Sequence, residues 1–463
     1  MNKNEVIATN QHRWIAPKEF YRKVLRIILP VCLQQLLNQG ANFVDTMMVS
    51  YIGYVSAVAV AGEVNNLMLL VSFGVNSGLS VYAAQFYGIR DWKSLRRCFG
   101  LFMGLNLLVS GLFFVLVMVG KTRLLSFYSP DMVLVQQAWE YLSVFAVSFF
   151  FSSVSNAFSF MYRSVQNPKV PMVIGIGVNL GNALLNYLLI FGKLGLPAMG
   201  AKGAALASVI ALGAGLVAHI VYAVVSHQPF LGSFKEIASW PRTFWQPMVR
   251  RIAPLVLNEL IFGLGDTMYM KAFNLLGTRA LESYKVAFSI GMVPYTVTAG
   301  VGSACSVVVG ESLGRKDKEG AKNTVRWLLP ISAVTSIAVT VIVFLMARPA
   351  VGLFSLSSPD LVGGTIIMVK LSALRVALRL FNVIFLFSIR AGGDSLYILF
   401  LDCGLVWLVG MPVAFGSILL CGVDSMPLLF LIVQFEQFVR LTLGIRRYRT
   451  GKWLNNLTDE VQE

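Results

Sequence analysis

Long apolar segments alternate with short polar ones along the whole chain. Each apolar segment is long enough to cross about 30 Å of hydrocarbon as a helix. None shows the alternation of a barrel strand, and only helices and closed barrels satisfy their backbone hydrogen bonds in lipid. The pattern predicts twelve transmembrane helices, numbered here as spans 1 to 12: 24–50, 57–83, 95–119, 134–162, 168–192, 199–225, 248–276, 282–309, 325–346, 361–389, 395–420 and 425–445.

The second half of the chain repeats the plan of the first. Two six-helix halves have the same orientation across a membrane, so they are parallel repeats with a substrate site expected between them. Three sets of motifs recur at shifts of 224, 226 and 227 residues: Pro30/Gln34/Gly53 with Pro254/Asn258/Gly277, Gly88/Arg90/Asp91 with Gly314/Lys316/Asp317, and Arg163/Asn167 with Arg390/Asp394.

The predicted fold is an all-α membrane protein whose twelve helices form two six-helix lobes related by a pseudo-two-fold axis along the membrane normal. The polar N-terminus lacks the short apolar core and cleavage site of a signal peptide. We expect an N-terminal segment (1–23), an N-lobe (24–225), a linker (226–247), a C-lobe (248–445) and a C-terminal tail (446–463).

Composition and charge support the membrane assignment. Only 13% of residues are charged, about half the roughly 25% of soluble domains. The net charge of +16 does not indicate nucleic-acid binding, because most of the 38 Lys and Arg residues fall in loops on one side of the predicted membrane. By the positive-inside rule that side is the cytoplasm, which also holds both termini. We expect a multi-pass protein of the bacterial inner membrane, in contact with the lipid bilayer and with no nucleic-acid partner.

No segment is large enough for a soluble catalytic or nucleotide-binding domain. Gly120, Lys121 and Thr122 resemble the end of a phosphate-binding loop, but Val115 stands where the first glycine is required. Five cysteines without paired spacing and three histidines disfavour a disulfide framework, a zinc site or a membrane-embedded metalloenzyme. We expect a monomeric transporter without a cofactor, which moves a small-molecule substrate on an ion gradient and is not an enzyme.

Span 1 carries a single polar stripe. Gln34, Asn38, Asn42 and Asp45 are spaced by 4, 4 and 3 residues, so they share one helix face. A face that points at a wet cavity explains this pattern better than scattered packing contacts. Asp45 is the only acid in the stripe, and a buried carboxylate is unfavourable until a proton or a cation compensates its charge. Asp45 is the candidate coupling site; the alternative is a structural cap near the outer end of the helix.

Pro30 and two asparagines add to this picture. Pro30 lacks an N–H and can kink span 1, which predicts a hinge. In span 5, Asn182 and Asn186 lie on one face, and their side-chain carbonyls are hard ligands that suit a small cation. Interhelical hydrogen bonding is an equally common role for asparagine in membranes.

Charged residues also lie within spans of the second half. Glu259 and Asp266 are seven residues apart in span 7 and share a face. Two acids and two guanidinium groups predict ion pairs across this lobe, or contacts with substrate. The guanidinium groups belong to a second stripe, at spacings of 3, 4 and 3 in span 10: Ser372, Arg375, Arg379 and Asn382.

Several short motifs occur in a characteristic order: Pro30/Gln34, Val44-Asp45-Thr46-Met47-Met48-Val49, Gln166-Asn167-Pro168, Asn182-x-x-x-Asn186-Tyr187, Gly200-x-x-Gly203 and Arg390-Ala391-Gly392-Gly393-Asp394. In this order and spacing, over about residues 20–450, the sequence resembles the multidrug and toxic compound extrusion (MATE) family, close to its NorM-like branch. The resemblance implies twelve helices in two lobes and efflux, usually of organic cations, driven by H⁺ or Na⁺.

The resemblance also implies roles for individual residues. Asp45, Asn182 and Asn186 look like the cation site of the first lobe, where Na⁺ would bind, and Ser208 looks like a further ligand. Glu259 looks like the acid of the second lobe. No other metal site is implied.

One position departs from the family pattern. The resemblance implies an acid fifteen residues before Asp394, where this sequence has Arg379. Arg379 could replace a bound cation by pairing with Glu259, which would leave coupling to the first lobe. A more basic second lobe could instead favour zwitterionic or anionic cargo, such as a secreted metabolite. A flippase for lipid-linked precursors, from the same wider superfamily, is a further alternative.

Overall fold

A computed structural model describes residues 15–128, 130–354 and 359–459, so positions 1–14 of the predicted N-terminal segment lie outside it. Every regular element in this part of the chain is helical. Helices occupy all twelve spans, with these bounds: Lys18–Ser50, Val55–Ile89, Trp92–Leu125, Met132–Phe145 with Ser148–Ser164 (span 4), Lys169–Phe191, Gly200–Val225, Arg242–Asn274, Thr278–Gly314, Lys318–Gly352, Pro359–Ala391, Ser395–Leu419, and Met426–Val433 with Phe435–Arg449 (span 12).

Most of these helices can cross a membrane by length and composition. Nine qualify among the described residues, or ten when the two parts of span 4 are counted as one. Spans 1 and 7 fall short of this measure, and both carry acidic and amide side chains within the span. The predicted all-α fold with twelve long helices is confirmed.

Span 4 is bent by 55°, which the apolar pattern did not predict. No proline interrupts it. The backbone tightens at the bend, where Val147 N–H donates to Val144 O and Phe149 N–H to Ala146 O. The Ser148 hydroxyl also donates to Phe145 O at 2.6 Å. A hydroxyl that competes for a helix carbonyl is a known cause of bending.

Span 11 is helical as predicted but is partly wound as π-helix. Its wide turns cover Phe400–Gly404 and Val406–Gly410. Such turns are rare and occur frequently at functional sites. Asp402, which lies in the first of them, is buried.

The described chain divides into two compact units. The N-unit comprises residues 33–256, and the C-unit comprises residues 257–459 together with 15–32. The boundaries lie inside spans 1 and 7, just after Pro30 and Pro254. The first part of span 7 therefore packs within the N-unit, where a Cβ on Gly74 would lie 2.7 Å from the Cα of Val256. The prediction that Pro30 is a hinge stays a prediction.

The predicted C-terminal tail is partly folded onto the C-unit. Span 12 continues to Arg449, and the chain then turns back through residues 451–459. Trp453 is fully buried, and its indole N–H donates to Tyr448 O at 2.9 Å. Asn455 donates to Gly392 O at 3.1 Å, and Asn456 donates to Gly314 O at 3.0 Å. These contacts join the segment to the loops that follow spans 8 and 10.

Candidate functional site

A cavity of about 420 Å³ lies in the N-unit, walled by the second half of span 1 and by spans 2, 4, 5 and 6. Asn42 and Asp45 reach it from span 1, Asn182 and Asn186 from span 5, and Ser208 from span 6. The four residues that the sequence assigned to a cation site therefore line one cavity.

Asp45 is held in this cavity by neutral amides. Asn186 Nδ2 donates to Asp45 Oδ1 at 2.8 Å. The nearer end of the Asn182 amide lies 3.0 and 3.1 Å from the two carboxylate oxygens. None of the ion pairs within the described residues involves Asp45. Asp45 is also half-buried, so its charge is neither paired with a cation nor fully hydrated.

The Asn182 amide can face Asp45 in two orientations. With its nitrogen toward Asp45, it donates to the carboxylate while its oxygen accepts from the Ser208 hydroxyl at 3.2 Å. This orientation suits an ionised acid, because a carboxylate only accepts hydrogen bonds. With its oxygen toward Asp45, two acceptors face each other, and a proton or a cation is needed between them. The side chains of Asn182, Asn186 and Ser208 can therefore accommodate Asp45 in both of its charge states.

The inner part of the span 1 stripe does not line the cavity. Gln34 accepts from Arg163 Nη2 at 2.9 Å and donates to Pro171 O at 3.3 Å. Asn38 accepts from Asn179 Nδ2 at 2.9 Å. Neighbouring helices bond the side chains of Gln34 and Asn38, and the expectation that these two residues also face a wet cavity stays a prediction.

Sequence reasoning missed Tyr141. This buried residue of span 4 lines the same cavity, close to the Asp45 carboxylate and the Ser208 hydroxyl. A tyrosine in an apolar span gives no distinctive signal, so its position could be found only from the structure.

The C-unit contains a buried network of ion pairs. Arg390 Nη2 lies 3.1 Å from Glu259 Oε1. Asp402 Oδ1 lies 2.9 Å from Arg440 and 3.4 Å from Arg379. The pairing of Glu259 with Arg379 that the sequence suggested as one option is not formed: Glu259 pairs with Arg390, and Arg379 pairs with Asp402. Helix rotation and depth decide such pairings, and one sequence does not give them.

Span 12 completes this network. Glu436 pairs with Arg440 and accepts from the Tyr269 hydroxyl at 2.9 Å. Asn382 of the span 10 stripe donates to Gln437 at 3.1 and 3.2 Å, so it too serves helix packing. The sequence analysis missed Asp402, Glu436 and Arg440, although charged residues inside predicted spans were the signal that identified Glu259.

A second cavity, of about 160 Å³, lies within the C-unit. Asp266 of span 7 and Ser372 and Arg375 of span 10 supply its polar groups. The remaining wall is mainly aromatic and apolar: Phe262, Tyr284, Ala287, Phe288, Gly291, Met292, Tyr295, Met368, Val376 and Phe430.

Comparison with protein families agrees with the repeat in this chain. The family model described as MatE matches residues 30–188 and again 254–415. The two matches begin at Pro30 and Pro254, the prolines from which the internal repeat was recognised. Together they cover more than half of the chain.

Curated relatives match over nearly their whole length. The chain is 25% identical over 434 residues to the uncharacterized transporter YisQ of Bacillus subtilis, covering 92% of this chain and 93% of the relative. It is 22% identical over 442 residues to the probable multidrug resistance protein NorM of Thermotoga maritima, covering 94% and 93%.

Solved structures share the fold at low sequence identity. One is an outward-facing multidrug resistance MATE family transporter of the MOP superfamily, with a TM-score of 0.82, 17% identity, and coverage of 93% of this chain and 96% of that one. Another is a MOP superfamily transporter from Pyrococcus furiosus with a binding pocket of reverse polarity, with a TM-score of 0.83 and the same identity and coverage. At this identity the likeness shows the two-lobe, twelve-helix fold alone.

Proposed function

Because this chain belongs to the MatE family of multi-pass membrane transporters, we propose that it is a secondary active exporter of small organic molecules, driven by H⁺ or Na⁺ antiport. The family is one of transporters, not enzymes, and its members need no cofactor. Relatives that are named as probable multidrug resistance proteins support drugs and other organic cations as the cargo class.

The environment of Asp45 carries this proposal. The close polar neighbours of Asp45 are amides and hydroxyls, and none of the ion pairs among the described residues compensates its charge, so this acid gains most from a mobile cation. A proton would convert the carboxylate into a donor toward the Asn182 oxygen. A sodium ion would find hard oxygen ligands on Asp45, Asn182, Asn186 and Ser208, the ligand type that such ions prefer. Either ion would rearrange the hydrogen bonds between spans 1 and 5.

The C-unit supports coupling through the N-unit alone. Glu259, the acid that the family resemblance assigned to the second lobe, is paired with Arg390 and is 8% exposed. A guanidinium stays charged under all ordinary conditions, so it already supplies the positive charge that a coupling ion would bring. We propose that transport proceeds by alternating access, with loading of Asp45 as the step that resets the carrier.

We further propose an inner-membrane location with both termini in the cytoplasm. The distribution of Lys and Arg between the loops supports this orientation through the positive-inside rule.

The first prediction concerns Asp45. In efflux-deficient cells, wild-type protein should lower ethidium or norfloxacin accumulation, whereas Asp45→Asn should behave as the empty vector, because its neutral side chain cannot exchange a proton or bind a cation. Glu63→Gln is the matched control, since Glu63 is an exposed acid of span 2 in the same unit. Wild-type activity in Asp45→Asn would refute the coupling site. Proteoliposomes under separate H⁺ and Na⁺ gradients would identify the ion.

A further inference from the structure

A cluster of four acids and four arginines lies in the C-unit, and not all of its members form ion pairs. Spans 7, 10, 11 and 12 bring together the acids Glu259, Asp266, Asp402 and Glu436 and the arginines Arg375, Arg379, Arg390 and Arg440. Three acids and three arginines form direct ion pairs with one another. Among the described residues, no ion pair within 4.0 Å includes Asp266 or Arg375. One acid and one arginine of this cluster are therefore left without a direct ion-pair partner.

Both of these charges line the second cavity. Asp266 is an exposed residue. Arg375 is partly exposed and lies beside the Tyr284 hydroxyl. The charges of Asp266 and Arg375 influence each other. The guanidinium nitrogens nevertheless lie more than 4.0 Å from the carboxylate oxygens, so a space separates the two groups. Arg379 and Glu436 are further charged neighbours of Asp266, but each is already held in the ion-pair network.

We propose that this cavity binds a zwitterionic cargo, with Arg375 on its carboxylate and Asp266 on its ammonium group. The proposal rests on the exporter function proposed above and assigns this cavity a cargo class other than the organic cations named there. The two groups of the ligand lie close together, as in an amino acid or an amino-acid derivative. An apolar or aromatic side chain would contact the surrounding rings, including Phe288 and Phe430.

The charges and the size of the cavity both favour such a ligand. A permanent cation bound by Asp266 would face the Arg375 guanidinium, and an anion bound by Arg375 would face the Asp266 carboxylate. Like charges brought together without compensation oppose binding, so the pair selects against both classes. A cavity of about 160 Å³ has room for one aromatic ring, since cavities of about 150 Å³ bind benzene.

A matched series of ligands tests the proposal. Binding to the purified protein is measured for L-phenylalanine, its methyl ester, which lacks the carboxylate, and N-acetyl-L-phenylalanine, which lacks the ammonium group. Wild-type protein should bind L-phenylalanine at least about tenfold more tightly than either analogue. No binding at millimolar L-phenylalanine, or equal binding of all three compounds, would overturn the proposal. This comparison needs no variant, so a folding defect cannot obscure it.

Two variants then assign the recognition to residues. Arg375→Gln should lose the preference over the methyl ester, and Asp266→Asn should lose the preference over the N-acetyl compound. Lys370→Gln and Glu282→Gln are controls that remove a charge from span 10 and span 8 without touching the cavity, and both preferences should persist in them. Retention of both preferences in Arg375→Gln and Asp266→Asn, or their loss in the controls, would contradict the assignment.

The outcome is separable from that of the proposed function. Export of ethidium that depends on Asp45, together with failure in the ligand series, would refute the zwitterion site and leave the exporter standing. Selective binding of L-phenylalanine in a protein that exports nothing would refute the exporter and leave the site standing.

Discussion

Asp45 and Glu259 are both acids inside long apolar helices, and their neighbours separate their roles. Asp45 accepts a hydrogen bond from the Asn186 amide and lies beside the Asn182 amide, and no ion pair among the described residues compensates its charge, which supports the proposal that a mobile ion does so. Glu259 is compensated by Arg390, a fixed cation within the same unit. We therefore propose a coupling role for Asp45 and a structural role for Glu259, because only Glu259 has a guanidinium within reach.

A double-mutant cycle tests the scaffold role of Glu259. Glu259→Gln and Arg390→Gln should each lower stability, by about 3–5 kcal/mol, because each leaves one buried charge without its partner. The double variant should recover much of this loss, since it contains neither charge. The measurement is unfolding of the purified protein in detergent, compared across all four proteins. A double variant whose loss equals the sum of the single losses would show that the two residues act independently.

At the scale of elements, the two halves of the repeat differ in the shape of two helices, spans 4 and 11. Span 4 is bent and places Tyr141 at the Asp45 cavity, whereas its counterpart, span 10, is one continuous helix from Pro359 to Ala391. Span 11 contains π-helical turns around Asp402, whereas its counterpart, span 5, is an ordinary α-helix. No proline lies at the bend of span 4, so that bend depends on packing and side-chain hydrogen bonds. In span 11, Pro412 directly follows the second π-helical turn and has no N–H to donate back to it.

The folded C-terminal segment gives a prediction at this scale. A Cβ on Gly392 would collide with the Trp453 carbonyl, so Gly392→Ala should destabilise the protein by about 1–3 kcal/mol through overpacking. Gly363→Ala is the matched control in span 10, because nothing lies within 4 Å of its new Cβ. It should stabilise the helix, by up to about 1 kcal/mol. Thermal unfolding in detergent should show shifts of opposite sign, and equal shifts would argue against close packing of residues 451–459 on this loop.

For the whole molecule, the orientation in the membrane that we propose from the placement of basic residues can be tested. The native cysteines provide a direct test, because Cys421, between spans 11 and 12, is exposed while Cys98, Cys305 and Cys403 are buried. With the N-terminus in the cytoplasm, the loop that contains Cys421 faces outward.

A membrane-impermeant maleimide should therefore label wild-type protein in intact spheroplasts, and Cys421→Ser should abolish that labelling. Lys235→Cys, placed in the Cys421→Ser background, should react only after permeabilisation, because the linker is predicted to be cytoplasmic. The reverse pattern would invert the topology and refute the assignment made from the Lys and Arg distribution.

The sequence by itself determined the helices and much of the first site. Apolar length decides whether a segment can cross a bilayer, so all twelve spans were located, although their predicted ends differ from the helix ends by up to seven residues. The 3.6-residue period placed Asn42 and Asp45 on one face of span 1, and the same reasoning placed Asn182 and Asn186 on one face of span 5. Together with the family resemblance, these local patterns identified four residues that do line one cavity.

Only the tertiary structure decided which faces meet and which charges pair. The partner of Glu259, the bend of span 4 and the cavity between Asp266 and Arg375 depend on the rotation and depth of whole helices. Those quantities are set by packing among residues far apart in sequence, such as Glu259 and Arg390. A periodic pattern records which side of a helix is polar, but it carries no information about what lies opposite that side.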